Sequence, residues 1–292
     1  LLNADSLDVF LQGYNMTLRL GWFSTGRGEG SRNLLTTLYE NIRNGTLDCE
    51  VDFVFCNREK GEAEGSDRYL QLVQDYGFRL VSFSSRHFKP ELRKKGKSDP
   101  ETLRTWRIEY DREVVKRLYG LLPDICFLGG YMLIVGEEMC EKLDMINLHP
   151  AAPDGPAGTW QEVIWQLIAS KAKESGVMMH LVTKELDKGP PITYCTFPIQ
   201  GGNFDRLWDE LEEKLKTDTL QKIMSSEGDS HPLFQEIRRE GVKREQPLIV
   251  YTIKAFAEKR IRLQDKNVLA GDKILTQPYC LNQEINLFLK IN

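Results

Sequence analysis

Apolar positions along the chain fall into two periods. Short runs rich in β-branched and aromatic residues, "TLRLGWFST" (17–25), "EVDFVFCN" (50–57), "FRLVSFSS" (78–85), "DICFLGG" (124–130) and "MINLH" (145–149), have the length and composition of buried strands. Between them the spacing changes to that of helices, with Leu34, Leu38 and Ile42 on one stripe and Leu103, Trp106, Tyr110 and Val114 on another. In "TWQEVIWQLIAS" (159–170), Trp160, Val163, Ile164, Leu167 and Ile168 share a face. This alternation predicts an α/β fold with a doubly wound, mostly parallel sheet covered by helices on both faces. "GVMMHLVT" and "PITYCTFPI" read as two more strands, separated by the turn-like "KELDKGP". A helix with Phe204, Leu207, Trp208, Leu211 and Leu215 on one side closes this core. The polar "SSEGDSHP" (225–232) reads as a loop, followed by a helix from about 246 to 260 and a terminal hairpin turning at Gly271-Asp272.

Composition narrows the function classes. With 292 residues, 41% of them hydrophobic, the chain is long enough for one large domain with a substantial core. A net charge of −4 gives no global attraction for nucleic acid or an anionic membrane, so an anionic ligand needs a local site. The six cysteines form no C-x-x-C pair and sit mostly in apolar runs, which reads as reduced core thiols. No apolar run is long enough to span a bilayer, and the first residues lack the pattern of a signal peptide, so a cytoplasmic location is expected. The expected organisation is a leader over 1–16, an α/β domain over 17–225, and a helical insertion with a hairpin over 226–292 packed on the same domain. Oligomeric state leaves no mark on these patterns.

Three stretches offer chemistry. Gly26-Arg-Gly-Glu-Gly-Ser-Arg-Asn33 lies between a strand and a helix, where free backbone N–H groups and the helix dipole can cradle a phosphate; a plain turn is the alternative reading. It matches neither a nucleoside-triphosphate loop nor a dinucleotide fingerprint. Asn147 and His149 are two apart at a strand end, hence on one face, and Pro150 stops the strand there. An amide donor beside an imidazole suits acyl or one-carbon transfer. Asp187, before a Gly-Pro-Pro turn, can orient and stabilise an imidazole, or simply bond its own backbone. His180, on a strand between Met179 and Leu181, reads as a satisfied strand residue, and His87 and His231 as loop residues. No spacing of His, Cys or carboxylates suggests zinc.

"NLHPAAP" followed by "HLVTKELDKGPPI", together with "GEGSRN", "RIEYDREVVKRL" and "LGGYMLIV" in that order, resembles the formyltransferase family, in particular members that act on glycinamide ribonucleotide in purine synthesis. The resemblance implies a Rossmann-like formyltransferase fold and covers roughly 17–225 and 250–282. It implies Asn147, His149 and Asp187 as the catalytic set, with 10-formyltetrahydrofolate as formyl donor, a phosphate-bearing amine as acceptor and no metal. Gly30, Ser31, Arg32 and Asn33 would hold the phosphate. Arg107, Met132, Leu133, Ile134, Val135, Thr183, Lys184, Glu185 and Leu186 would line the folate site. The chain departs from the family at Leu133, where an arginine is usual, and in the turn "AAPDGPAG" after His149-Pro150. The Gln and Glu that usually meet the sugar and amine are also missing near the end of the 203–224 helix, where Lys214 and Lys216 stand. Rival readings are a formyltransferase for another amine, such as an amino-sugar nucleotide, and a folate- or nucleotide-binding relative without turnover. A formyltetrahydrofolate deformylase would be expected to carry a regulatory domain before the first strand, and a methionyl-tRNA formyltransferase a larger basic C-terminal domain.

Overall fold

A computed structural model describes residues 17–185 and 187–291, so the expected leader over 1–16 lies outside the described residues. The strand and helix periods resolve into β1 (Leu18–Ser24), α1 (Glu29–Arg43), β2 (Cys49–Cys56), α2 (Glu64–Asp75), β3 (Leu80–Ser82), α3 (Pro90–Lys95), α4 (Pro100–Arg117), β4 (Ile125–Leu128), α5 (Glu137–Lys142) and β5 (Met145–His149). There follow α6 (Trp160–Ala169), β6 (Glu174–Leu181), β7 (Pro191–Pro198), α7 (Asn203–Leu215), α8 (Leu220–Glu227), α9 (Pro232–Ala257), β8 (Arg262–Gln264), β9 (Asn267–Ala270), β10 (Lys273–Ile274), β11 (Tyr279–Cys280) and α10 (Asn282–Ile291). The central sheet runs β11-β7-β6-β5-β4-β1-β2-β3, with β3 through β5 parallel and β6 antiparallel to both its neighbours. This is the mostly parallel sheet that the alternating pattern predicts.

Side-chain alternation assigns the two faces. Leu20, Trp22, Val54, Ile125 and Phe127 pack with Leu35 and Leu38 of α1, Tyr69 of α2 and Leu248–Phe256 of α9. Phe23, Phe53, Phe55 and Cys126 face the other way, onto Trp106, Tyr110 and Val114 of α4 and Met139 of α5. Both faces of the strands are therefore buried, which is why they read as continuous apolar runs rather than alternating ones. Start signals also come from the sequence: the Asp99 side chain accepts from Glu101 N–H, and Thr159 with Glu162 forms a capping box at α6.

The C-terminal region differs from expectation. Instead of a loop and a helix from about 246, α9 runs unbroken from Pro232 to Ala257 through an internal Pro247. Leu233, Phe234 and Ile237 bury its first half against α6 and α7, and the pairs Arg238–Glu245 and Arg244–Glu240 tie its charged middle. Tertiary packing outweighs the lost N–H and the polar composition that made this stretch look irregular. The expected hairpin is a three-stranded sheet of β8, β9 and β10, and β11 returns to pair in parallel with β7. Among the described residues no helix is long and apolar enough to cross a membrane.

Candidate active site

Strand order brings the candidate residues to the carboxyl ends of β4 and β5, where open α/β sheets carry their ligand crevices. Asn147 on β5 is the register partner of His180 on the antiparallel β6, so both side chains rise from the same face side by side. His149, two residues on, shares that face; its ring meets the His180 ring edge-on at 6.1 Å between centroids. His149 is almost completely buried, and its Nε2 lies 3.2 Å from the carbonyl oxygen of Pro156 in the turn after β5. Asp187 reaches the site from the β6–β7 turn, with a φ of 55° that aspartate tolerates better than most residues.

These groups do not meet as the sequence suggested. Among the described residues, the imidazole paired with Asp187 is that of His180, with Nε2 3.7 Å from the carboxylate Oδ1. His180 Nδ1 lies 3.1 Å from Leu181 O, a contact that assigns the proton to Nδ1 and leaves Nε2 as a lone pair. That Nε2 is buried with no hydrogen-bond partner. Burial is the main influence on His180 and holds its pKa below the usual imidazole value, against the opposing pull of the Leu181 carbonyl and Asp187. A strand position alone hides this role; the signal is the antiparallel register that sets His180 opposite Asn147, which requires pairing β5 with β6.

Asn147, His180 and Asp187 line a cleft of about 250 Å³ walled by residues 131–135 and by Val182 and Thr183. The first wall is pinned at both ends: Met132 N–H donates to Thr25 Oγ1 at 2.8 Å, and Gly136 N–H donates to Asp111 Oδ2 at 2.5 Å. The second is tied to α5 by Lys184, whose Nζ is 3.2 Å from Glu137, while Thr183 Oγ1 donates to Glu185 O at 3.1 Å. Leu186 lies outside the described residues. Arg107, on α4, lies beyond the outer side of the 132–134 wall.

Asp111 is buried, and desolvation pushes its carboxyl from 3.8 up to about 7. A raised folded-state pKa means that ionisation opposes folding: the penalty is absent below the unfolded value, grows as pH rises from 3.8 and is complete above about 7. Asp111→Asn keeps an acceptor for Gly136 N–H and removes the charge. The variant is expected to melt above the parent at about pH 8 and to show little difference near about pH 4, with a ceiling of about 4 kcal/mol for three pKa units. Thermal melts across that range would refute this if the difference stayed constant.

The phosphate candidates divide. Gly30 and Asn33 open onto a groove of about 910 Å³ between α1 and α9, whose far wall carries Arg238, Arg239 and Lys243. No side chain caps the N-terminus of α1. Ser31 is buried beside Gly130, and Arg32 Nη1 turns to Gly65 O at 3.5 Å. It is α9, not the end of the 203–224 stretch, that faces this groove; Lys214 and Lys216 pair instead with Glu227 and Glu213. Sequence reading missed these α9 residues because it placed the helix start after them. Among the described residues one group could hold a cation, Glu59, Glu62 and His87, drawn from two loops and hence invisible as a spacing motif.

The profile of the formyl transferase family matches residues 27–223. Similar proteins include the phosphoribosylglycinamide formyltransferase of Schizosaccharomyces pombe, 26% identical over 195 residues that cover 64% of this chain and 86% of that one. The enzyme of the same name from Saccharomyces cerevisiae is 30% identical over 103 residues, 33% of this chain; the match spans about half of that relative, 48%. The fold is shared with the phosphoribosylglycinamide formyltransferase of Coxiella burnetii (TM-score 0.61, 19% identity, 91% of this chain and 99% of that one). It is shared as well with a formyltetrahydrofolate deformylase of Pseudomonas putida (TM-score 0.54, 17% identity, 88% and 71%). With the family match running from the loop before α1 into α8 and so enclosing Asn147, His149, His180 and Asp187, the chain belongs to the formyl transferase family.

Proposed function

We propose that the protein transfers a formyl group from 10-formyltetrahydrofolate to the primary amine of glycinamide ribonucleotide, a cytoplasmic step of purine synthesis. The observation that carries this reading is the convergence of an amide, two imidazoles and a carboxylate at the mouth of β5 and β6. The donor fits the cleft in kind: an apolar wall at 132–135 suits a flat ring system, and the buried, unpartnered Nε2 of His180 awaits a polar group. When bound, the donor supplies an electrophilic formyl carbon on a nitrogen that can leave.

The protein's own residues do the rest. Asn147 donates from its amide to the formyl oxygen as negative charge gathers there, and His149, whose contact with the Pro156 carbonyl calls for a proton on Nε2, adds positive potential beside it. His180 Nε2 accepts the proton shed by the attacking amine and returns it to the folate nitrogen as the carbon–nitrogen bond to it breaks, while Asp187 stabilises the imidazolium in between. Thr183, Lys184 and Glu185 form the second edge of the donor site, with Met132, Leu133, Ile134, Val135 and Arg107 on the first. The acceptor's phosphate sits at the uncapped start of α1, on Gly30, Ser31, Arg32 and Asn33. The chemistry calls for no metal, nucleic acid or membrane.

Mixing the purified protein with 10-formyltetrahydrofolate and glycinamide ribonucleotide is expected to change the folate absorbance in step with formylated product. Formate released without acceptor would replace transfer by hydrolysis, and folate binding without turnover would move the assignment to another amine.

A further inference from the structure

The α9 wall of the groove of about 910 Å³ lies beyond residue 223, where the family match ends. The two helices that bound it point the same way. α1 starts at the carboxyl end of β1, level with the first turns of α9, where Arg238 lies 4.8 Å over the ring of Trp160 at the head of α6. Both then run towards the amino ends of the strands: α1 leads back to the start of β2, and Phe256 near the end of α9 shares a cavity with Leu18 and Ile125.

The groove therefore has two unlike ends. At the end nearer the candidate site, level with Gly30 and Asn33, α9 presents Arg238, Arg239 and Lys243. Their acidic partners lie deeper: the side chains of Arg239 and Lys243 are 56% and 46% exposed, those of Glu236 and Glu240 17% and 19%. Glu245, the one acid on the described lining, is paired with Arg238. The surface turned to the groove there is thus positive, in a chain of net charge −4. At the other end Pro247, Val250, Tyr251 and Phe288 make an apolar wall, with the Tyr251 and Phe288 rings edge-on at 6.4 Å between centroids. Between the two ends α1 and its C-cap line the groove with Asn33, Thr37, Asn41 and Asn44, an uncharged polar stripe at helical spacing. Asn41 Nδ2 donates to Thr37 O at 2.8 Å, which leaves the amide oxygen to accept from a ligand hydroxyl. At a rise of about 1.5 Å per residue the stripe from Asn33 to Asn44 is about 16 Å long, more than a sugar phosphate occupies.

We propose that this groove binds a nucleoside 5′-monophosphate. Cations, then neutral hydrogen-bonding side chains, then aromatic rings follow one another in the order of phosphate, ribose and base. The phosphate lies between the α9 cations and Asn33, the ribose hydroxyls meet Thr37 and Asn41, and the base packs on Tyr251 and Phe288. The phosphate end is also where the proposed acceptor places its own phosphate; resting on that reading, nucleotide and acceptor exclude each other.

Calorimetric titration of the full chain with adenosine and guanosine 5′-monophosphate, with the free nucleosides and with inorganic phosphate tests the groove without turnover. At least one nucleotide is expected to bind about tenfold or more tightly than its nucleoside or phosphate. Arg239→Gln/Lys243→Gln is expected to weaken the nucleotide about tenfold at low salt, with a smaller loss as ionic strength rises. Phe288→Ser, at a half-exposed ring, is expected to weaken the nucleotide and to leave phosphate binding as in the parent. Binding of neither nucleotide, equal affinity for nucleotide and phosphate, or nucleotide binding untouched by both variants would overturn the groove. Formyl transfer to glycinamide ribonucleotide, assayed without nucleotide, stands or falls separately. Where transfer occurs, the nucleotide is expected to raise KM for the acceptor and leave kcat unchanged; nucleotide binding without that effect keeps the groove and overturns the placement of the acceptor's phosphate.

Discussion

Asp187→Asn is expected to lower kcat by about 10²–10⁴-fold, the range in which a positioned acid–base group contributes. Asparagine has the shape of aspartate and accepts a φ of 55°, so the β6–β7 turn survives the change. What is lost is the negative charge 3.7 Å from His180 Nε2. In the parent that charge, with the Leu181 carbonyl, opposes the desolvation that keeps His180 neutral; without it only the carbonyl at Nδ1 supports the imidazolium formed on proton uptake. KM for either substrate should move little, since the carboxylate acts when the proton moves rather than when ligands dock. The acid limb of the kcat profile should shift to lower pH in the variant, because removing a carboxylate lowers the pKa of the imidazole beside it further. His180→Asn should remove that limb altogether. A His149→Asn variant that lost the limb while His180→Asn kept it would transfer the proton-accepting role to His149 and refute the assignment. Rates measured from about pH 5 to about pH 9 decide between them.

Much of this site can be read from the residues, and the part that cannot has a physical cause. Asn147 and His149 declare themselves because a two-residue spacing and a following proline are local facts that put both on one face of a strand end. The strands from β1 to β5 are equally local, since burial on both faces leaves continuous apolar runs. His180 is different. Its neighbours Met179 and Leu181 make it look like one more core position, and only the antiparallel register with β5, a contact between residues 33 positions apart in the chain, sets it opposite Asn147. The partnership of Asp187 with His180 rather than His149 depends on the same register and on the path of the following turn. On the acceptor side, the first half of α9 escaped notice because Pro247 and a run of charged residues argue locally against a helix that buried Leu233, Phe234 and Ile237 hold in place. Local propensity yields there to packing that the local sequence does not display.

Gly189→Ala is expected to cost about 10²-fold in kcat while the protein remains folded, although Gly189 touches no reacting group. A Cβ at this position would stand 1.6 Å from the carbonyl oxygen of Leu181 and 2.7 Å from its carbon. Backbone cannot swing aside as a flexible side chain can, so either the 183–190 turn or the end of β6 must shift. The Leu181 oxygen is the partner of His180 Nδ1, and the turn carries Asp187. Any accommodation therefore moves the imidazole or the carboxylate, and a displacement of about 1 Å is enough for a loss of about 10²-fold. The stability cost should stay near the 1–3 kcal/mol typical of overpacking, about that order, because the strand pairing of β6 with β7 below the turn is untouched. Gly241→Ala gives the contrast: its added methyl would sit 3.9 Å from Phe197 inside α9, an ordinary contact, and helix propensity should favour it by about 0.5–1 kcal/mol. Melting curves and kcat for the two variants measured together separate a misplaced site from a weakened fold. If Gly189→Ala kept full activity with a lowered melting temperature, the Leu181 carbonyl would not be what orients His180.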